Sequence, residues 1–487
     1  MQRRPSNDPA AAADPGIGRA AQRERPGSVS ASASAVTGIA WPAVPATGRA
    51  ATIRAVLSQL DQTQWWSAEK IRRAQDRQLG LLLAHAHRTV PFYRKRLVRA
   101  GLAPGGTVSV ADWPRIPLLT RADIQEAGEA LLTRDLPAGH GRVHDIFTSG
   151  STGRPIRALR TELWAWFWRA LTIRDHLWHR RDFGGKLAVI RHSGKNEDPY
   201  PDGTASPNWS SAYRGLFATG PAVGLNVHCT VEQQVDWLRR QDPDYLLTHP
   251  TIARRLAEHC LAHGIRLPRL RQLLTYGEVA TPMVRAASRA AWGAPAIDMY
   301  STREVGYLAF QCPEHEHYHV QAEATLVEVL DERGRPCAPG QVGRVVATPL
   351  HNFAMPLIRY DIGDQAEVGG PCPCGRGLPV LRRILGRTQN MFVLPSGERL
   401  WPMLSSDNVG TLLAIAPIRQ YQFVQKSPEL IVLRLAVARD LSPLEEDALR
   451  RWVREKFGHP FRVAFEYHAE IPLTAAGKFQ DFVCEVA

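Results

Sequence analysis

Residues Phe147 to Pro155 read FTSGSTGRP, a stretch whose side chains suit the binding of an anion. Thr148, Ser149, Ser151 and Thr152 supply hydroxyls, Gly150 and Gly153 supply turn freedom, and Arg154 adds a cation. In such a loop, backbone N–H groups and hydroxyls can wrap phosphate oxygens. The preceding Asp145–Phe147 run is strand-like, which predicts the loop at the carboxyl end of a strand, where α/β folds bind nucleotides. The Walker pattern G-x-x-x-x-G-K-[ST] is absent. A Ser/Thr/Gly turn alone also describes an ordinary surface turn, so its meaning depends on its company.

Four further segments follow in order: TYGEV (275–279), MYSTREVGY (299–307), LIRYDIGD (357–364) and LTAAGKF (473–479). With the first stretch, they resemble the ordered motif set of the adenylate-forming superfamily, which makes acyl-adenylates from carboxylic acids and ATP. VPFYR (Val90 to Arg94) and IPLLTRADI (Ile116 to Ile124) are similar to N-terminal features of its phenylacetate–CoA ligase-like branch. The resemblance spans roughly residues 57–487. It implies an ATP-dependent carboxylate–CoA ligase that is AMP-forming, with a small carboxylic acid, ATP and coenzyme A as its partners.

The chemistry asks for these residue types. A carboxylate is a weak, negatively charged nucleophile, so charge must be offset and the reactants held in line. By the resemblance, Thr148–Gly153 clasp the β- and γ-phosphates and Arg154 stands beside them. Glu304 would hold Mg²⁺, Gly277 and Glu278 would border the adenine, and Tyr300, with Ser301 and Thr302 after it, would lie against the nucleotide. Asp364 would accept both ribose hydroxyls, as a two-oxygen acceptor can. Lys478 would be a mobile cation for the carboxylate and α-phosphate, a role that suits a compact ammonium on a flexible stem. The family swings its small domain between half-reactions at a border that here reads LGRTQN. Arg387 matches it, whereas relatives often carry Asp where Gln389 and Asn390 stand.

CPEHEHYH (312–319) and CPCG (372–375) form a second constellation. Thiolates and imidazoles suit tetrahedral Zn²⁺, and some members of the branch look similar in carrying a structural zinc here. The expected ligands are Cys312, His319, Cys372 and Cys374, with His315 the main rival for the histidine place and His317 behind it.

The elements that must position these groups read as α/β. LAVI (187–190) and DYLLTHP (244–250) look like buried strands, each before a helical stretch. The expectation is a large adenylation domain of mixed sheets flanked by helices (51–385). A small mobile α+β domain (386–487) follows, with a strand–turn–strand start around Gly397 and a helix from Pro443 to Phe457. Residues 1–50, rich in Ala, Ser, Pro, Gly and Arg without apolar period, read as a disordered leader. Trp164, Trp166, Phe167 and Trp168 either line an acyl pocket or pack a core helix.

Composition narrows the alternatives. With 44% apolar and 22% charged residues, the 487-residue chain is globular in character, and its net charge of +13 favours anionic partners. Seven cysteines and no apolar signal-type segment point to a reducing, cytoplasmic setting. The most apolar stretch, 163–178, is broken by charges and too short to span a bilayer. Gly and Pro around Cys372–Cys374 argue against a zinc-bearing nucleic-acid binder. A carrier-protein thiol or an amine in place of coenzyme A, a degenerate fold with a binding role, and a homodimer stay open.

Overall fold

The computed structural model describes residues 34–102, 110–147, 156–193, 197–210, 213, 215–387, 391–397, 399–400, 406–472, 480 and 482–486. Helices α1 (Arg49–Thr63), α2 (Ala68–Thr89), α3 (Pro91–Arg99) and α4 (Arg121–Ala127) lead the chain. The Ser67 side chain accepts the Lys70 amide to start α2. Pro91 has no amide proton to continue α2, and it opens α3 instead. α4 begins on a capping box in which Thr120 and Asp123 bond reciprocally. Strands β1 (Val143–Phe147) and β2 (Arg157–Thr161) then pair antiparallel, with Phe147 opposite Arg157. The Thr148–Gly153 loop and Arg154 lie between them, outside the described residues. Helix α5 (Glu162–Trp178) follows.

Next comes the alternating stretch: β3 (Leu187–Arg191), β4 (Thr204–Ser206), β5 (Ala222–Asn226), α6 (Val231–Gln241), β6 (Tyr245–Thr248), α7 (Pro250–Ala262), β7 (Gln272–Tyr276), α8 (Pro282–Trp292) and β8 (Ala296–Thr302). β3, β5, β6, β7 and β8 pair parallel, as apolar strands joined by helical crossovers require. The chain then turns antiparallel through β9 (Gly306–Gln311), β10 (Tyr318–Val320), β11 (Thr325–Leu330), β12 (Val342–Pro349), β13 (Tyr360–Val368) and β14 (Val380–Arg387). These twelve form one mixed sheet, ordered β11-β12-β13-β14-β10-β9-β8-β7-β6-β3-β5-β4. The junction between its halves is the β8–β9 hairpin, which contains Tyr300 through Glu304.

The C-terminal part has its own core. A short hairpin, β15 (Phe392–Val393) and β16 (Arg399–Leu400), turns at Gly397 with φ +83°, a conformation glycine adopts without strain. After it come α9 (Ser406–Ile415), β17 (Ile418–Ser427), β18 (Leu430–Val437), α10 (Pro443–Phe457), β19 (Arg462–Tyr467) and β20 (Phe482–Cys484). Four strands form a sheet ordered β19-β18-β17-β20, packed through Phe423, Phe457, Phe461 and Phe482. α10 has the expected ends: a Ser442/Glu445 capping box, Pro443 at its first position and left-handed Gly458 after it. Among the described residues, no helix is long and apolar enough to cross a membrane.

The N-terminal boundary needs correction. Residues within the expected 1–50 leader are packed: Val36, Ile39, Trp41 and Val44 are all buried in the main core. The Ala40 amide donates to Gln78 Oε1 at 2.7 Å, the Gln78 amide donates to the Gly38 carbonyl, and His351 Nε2 meets the Trp41 carbonyl. Each buried apolar side chain of this kind stabilises by ~1.5–3 kcal/mol. A chain beginning at residue 48 is therefore expected to melt several degrees below the full chain. An unchanged melting temperature would show that this segment adds nothing.

Candidate functional site

The carboxyl end of β8 gathers groups from three strands. Tyr300 is buried, and its hydroxyl donates to Asp364 Oδ2 at 2.7 Å. Burial, with the Asp364 charge beside it, holds the Tyr300 hydroxyl well above its ordinary pKa, so it remains a donor. Asp364 on β13 is opposite Arg387 on β14 in the ladder, and their side chains approach to 3.9 Å. Arg387, the last described residue of the LGRTQN border, has a side chain that is 44% exposed. Gln389 and Asn390 of that border are outside the described residues.

Glu304 occupies the β8–β9 turn. Ser301 pairs with Tyr307 across the hairpin, and Thr302 Oγ1 accepts the Val305 amide at 3.1 Å, which tightens the turn. The Glu304 carboxylate is only 11% exposed. It meets the Tyr360 hydroxyl at 3.5 Å and the Arg121 guanidinium at 3.8 Å, both at the long edge of contact. Arg121 is brought there by the IPLLTRADI segment: the Leu119 amide donates to the Arg359 carbonyl, and the Asp361 amide donates to the Leu119 carbonyl. Neither Tyr360 nor Arg121 received a role from the sequence, although both stand in quoted segments.

Other expected site residues fall elsewhere. Gly277, with φ +79°, turns the chain at the end of β7. The Glu278 carboxylate accepts from the Thr251 amide at 3.0 Å and the Thr251 hydroxyl at 2.6 Å. It therefore caps the first turn of α7, where a negative charge complements the helix dipole. Lys478 lies outside the described residues. The Trp-rich helix packs as a core helix. Phe167 is buried and stacks on His351. Trp164 and Trp168 face the β8–β9 hairpin, Trp168 stacking on Tyr307 at 3.9 Å.

The second constellation also assembles, with a change of membership. Cys312, His317, His319 and Cys372 bring one ligand atom each to within 4.8 Å of one another. The two sulfurs are 3.8 Å apart, and His317 Nε2 is 2.9 Å from Cys372 Sγ. Cys374, expected among the four, touches the edge of the group through His319 Nε2 at 3.3 Å. The histidine order also changes: His317 belongs to the group, whereas the His315 ring stands outside it, 5.2 Å from that of His317. His317, just before β10, and His319 on it both turn their rings to the cysteines, while Tyr318 between them donates to Asp298 on β8 at 2.8 Å. Burial pushes the Asp298 carboxyl up to about 6, against the pull of its Thr275 and Tyr318 hydrogen bonds. Burial likewise raises the Cys312 thiol and pushes Cys372 to about 12.

The chain is similar to known proteins over most of its length. The family model described as CapK C-terminal domain matches residues 404–485. A phenylacetate–coenzyme A ligase of Thermus thermophilus is 27% identical over 403 residues, covering 80% of this chain and 83% of the relative. The protein CapK of Staphylococcus aureus is 22% identical, covering 80% and 83%. Over most of its length the chain is thus similar to phenylacetate–coenzyme A ligases and to CapK, and its C-terminal part matches the CapK family model. In fold it is similar to a solved 2-hydroxyisobutyryl-CoA ligase with bound R3-HIB-AMP, at TM-score 0.66 and 21% identity, covering 91% of this chain and 93% of the other. Of the branch motifs, the structure thus brings together Tyr300, Asp364, Arg387 and the Glu304 turn, and it places Glu278 on α7.

Proposed function

We propose that the chain activates a carboxylic acid with ATP and passes the acyl group to coenzyme A. An oxygen of the acid would attack the α-phosphorus as pyrophosphate leaves. The coenzyme A thiol would then attack the acyl carbonyl as AMP leaves. One observation carries the reading: Tyr300, Asp364 and Arg387 converge from three strands beside the Glu304 turn. The Tyr300 hydroxyl donates to Oδ2 of Asp364 and so orients the carboxylate that would accept the ribose hydroxyls. Glu304 would hold Mg²⁺, a hard cation that favours carboxylate oxygen, and its long contacts leave lone pairs for one. That ion would neutralise charge on the phosphates. The names of the relatives make phenylacetate the first acid to try. A screen of carboxylic acids for AMP release, with and without coenzyme A, tests the reading. No acid-dependent AMP from any acid would end it.

For the Cys/His group, the donor chemistry fits zinc. Two sulfurs 3.8 Å apart match the edge of a tetrahedron with Zn–S bonds of about 2.3 Å. His319 Nδ1 is buried without a hydrogen-bond partner among the described residues. Cys312, His317, His319 and Cys372 would hold the ion, which would let both thiols ionise. Closed by four protein ligands, the site would be structural, clamping β10 beside the strand that bears Asp298. Purified protein is expected to carry about one equivalent of zinc. Cys312→Ser with Cys372→Ser should remove it and lower the melting temperature. Less than half an equivalent in the parent, with stability indifferent to chelator, would refute the assignment.

A further inference from the structure

Arg160 is a cation that the roles above leave unused. It stands on β2 opposite His144. Its guanidinium carbon is 4.0 Å from the centre of the Trp164 ring and 5.7 Å from that of Trp168. Its Nε is buried without a hydrogen-bond partner among the described residues. The charges acting on it are Glu304, which favours the cation, and Arg303, which opposes it. The aromatic wall is fixed from behind. A Cβ built on Gly306 would come 2.7 Å from Trp164 Cζ2, so the hairpin backbone lies directly against that indole. Trp168 is stacked on Tyr307, whose hydroxyl is 3.2 Å from that of Thr172.

A guanidinium stacked on indoles is attracted through its face, while its N–H groups point outward along its edges and keep their need for acceptors. An indole ring offers no acceptor oxygen. Closing the compartment over an uncharged acyl group would strip water from those N–H groups and return nothing. A carboxylate in the guanidinium plane satisfies two of them at once. We propose that Arg160 anchors a carboxylate of the acid substrate, in a compartment walled by Trp164 and Trp168. This rests on the adenylation reading and adds to it the residue that recognises the acid. The carboxylate has two sources: the one being activated, or a second one at the far end of a dicarboxylic acid.

The test uses the full chain and three acids: phenylacetate, 2-hydroxyisobutyrate and the dicarboxylate phenylsuccinate. Acid binding is followed by tryptophan fluorescence, which reads the indoles under Arg160, and KM and kcat by AMP release at saturating ATP. Arg160→Met should raise the Kd and KM for the acid by on the order of 10²-fold, with KM for ATP changed less than about twofold. Arg160→Lys, which keeps the charge and loses the fork, should fall between and keeps the test open if the Met variant folds poorly. A deficit shared by all three acids identifies the reacting carboxylate, and one confined to phenylsuccinate identifies the second. Acid affinities within about threefold of the parent, or equal losses for acid and ATP, would overturn the assignment. Should the parent turn over no acid, the adenylation reading falls and this inference with it. Normal turnover by both variants sinks this inference alone.

Discussion

Lys478→Ala is expected to lower acid-dependent ATP–pyrophosphate exchange by on the order of 10³-fold, while transfer to coenzyme A from supplied acyl-adenylate stays within about threefold of the parent. The split follows from where charge develops. In adenylation, a carboxylate approaches a phosphate that is itself anionic, so a missing ammonium removes stabilisation that nothing neutral replaces. In the second step the acyl group is already a mixed anhydride and AMP is a good leaving group, so the same cation has less to offset. Lysine suits the role because its charge is compact and its stem long enough to adapt. Pyrophosphate exchange and thioester formation, measured separately on one preparation, decide it. Equal loss of both steps would mean that Lys478 organises the site generally rather than serving the first reaction.

The second large effect concerns stability. Glu323→Ala is expected to cost ~3–5 kcal/mol, because it leaves the Arg174 guanidinium buried without its charge partner. The pair is bidentate, with Nη2–Oε1 at 2.9 Å and Nη1–Oε2 at 3.0 Å, and both side chains are almost fully buried. Thr63 donates to Glu323 Oε1, and Arg174 donates to the Leu60 carbonyl and to Gln321. The network therefore ties α1, α5 and the segment before β11 together. Replacing both partners by apolar residues, Arg174→Met with Glu323→Leu, should recover most of the loss, since no orphaned charge remains. Thermal melts of the three variants check this. A fall of under about 2 °C for Glu323→Ala would show that the cation finds other partners.

How far the sequence announced the structure depended on how local each signal was. Helix α10 was readable to the residue because Ser442, Pro443, Glu445 and Gly458 carry its start and stop within the segment itself. Strands β3 and β6 were readable as short apolar runs before helices. The packed segment around Trp41 was not, because its order comes from Gln78 and His351, far along the chain, and it has no period of its own. The site divides in the same way. Tyr300, Asp364 and Glu304 came from ordered motifs, and all three stand by the β8–β9 hairpin or on the strand that meets it. Arg121 was invisible as a partner of Glu304, since only the pairing of Leu119 with residues 359 and 361 carries it there. His317 was available to a stricter argument. Once Tyr318 and His319 read as strand, alternation alone puts His317 on the face of His319. Glu278 differs again: the resemblance implied adenine, and a hydroxyl 27 residues earlier along the chain holds its carboxylate.

The segment bearing Lys478 is anchored on both sides to a single strand. Before it, the Ile471 amide donates to Gln420 Oε1 on β17. After it, β20 adds parallel to β17, with Phe482 beside Phe423. In sequence, Lys478 thus falls between two attachments to the same strand, at Ile471 before it and Phe482 after it. With both flanks tied to β17, the ends of the segment move only with the sheet that holds them. Cutting the chain just before β20 would untie one end, and the cation would lose its guide rail while keeping its charge.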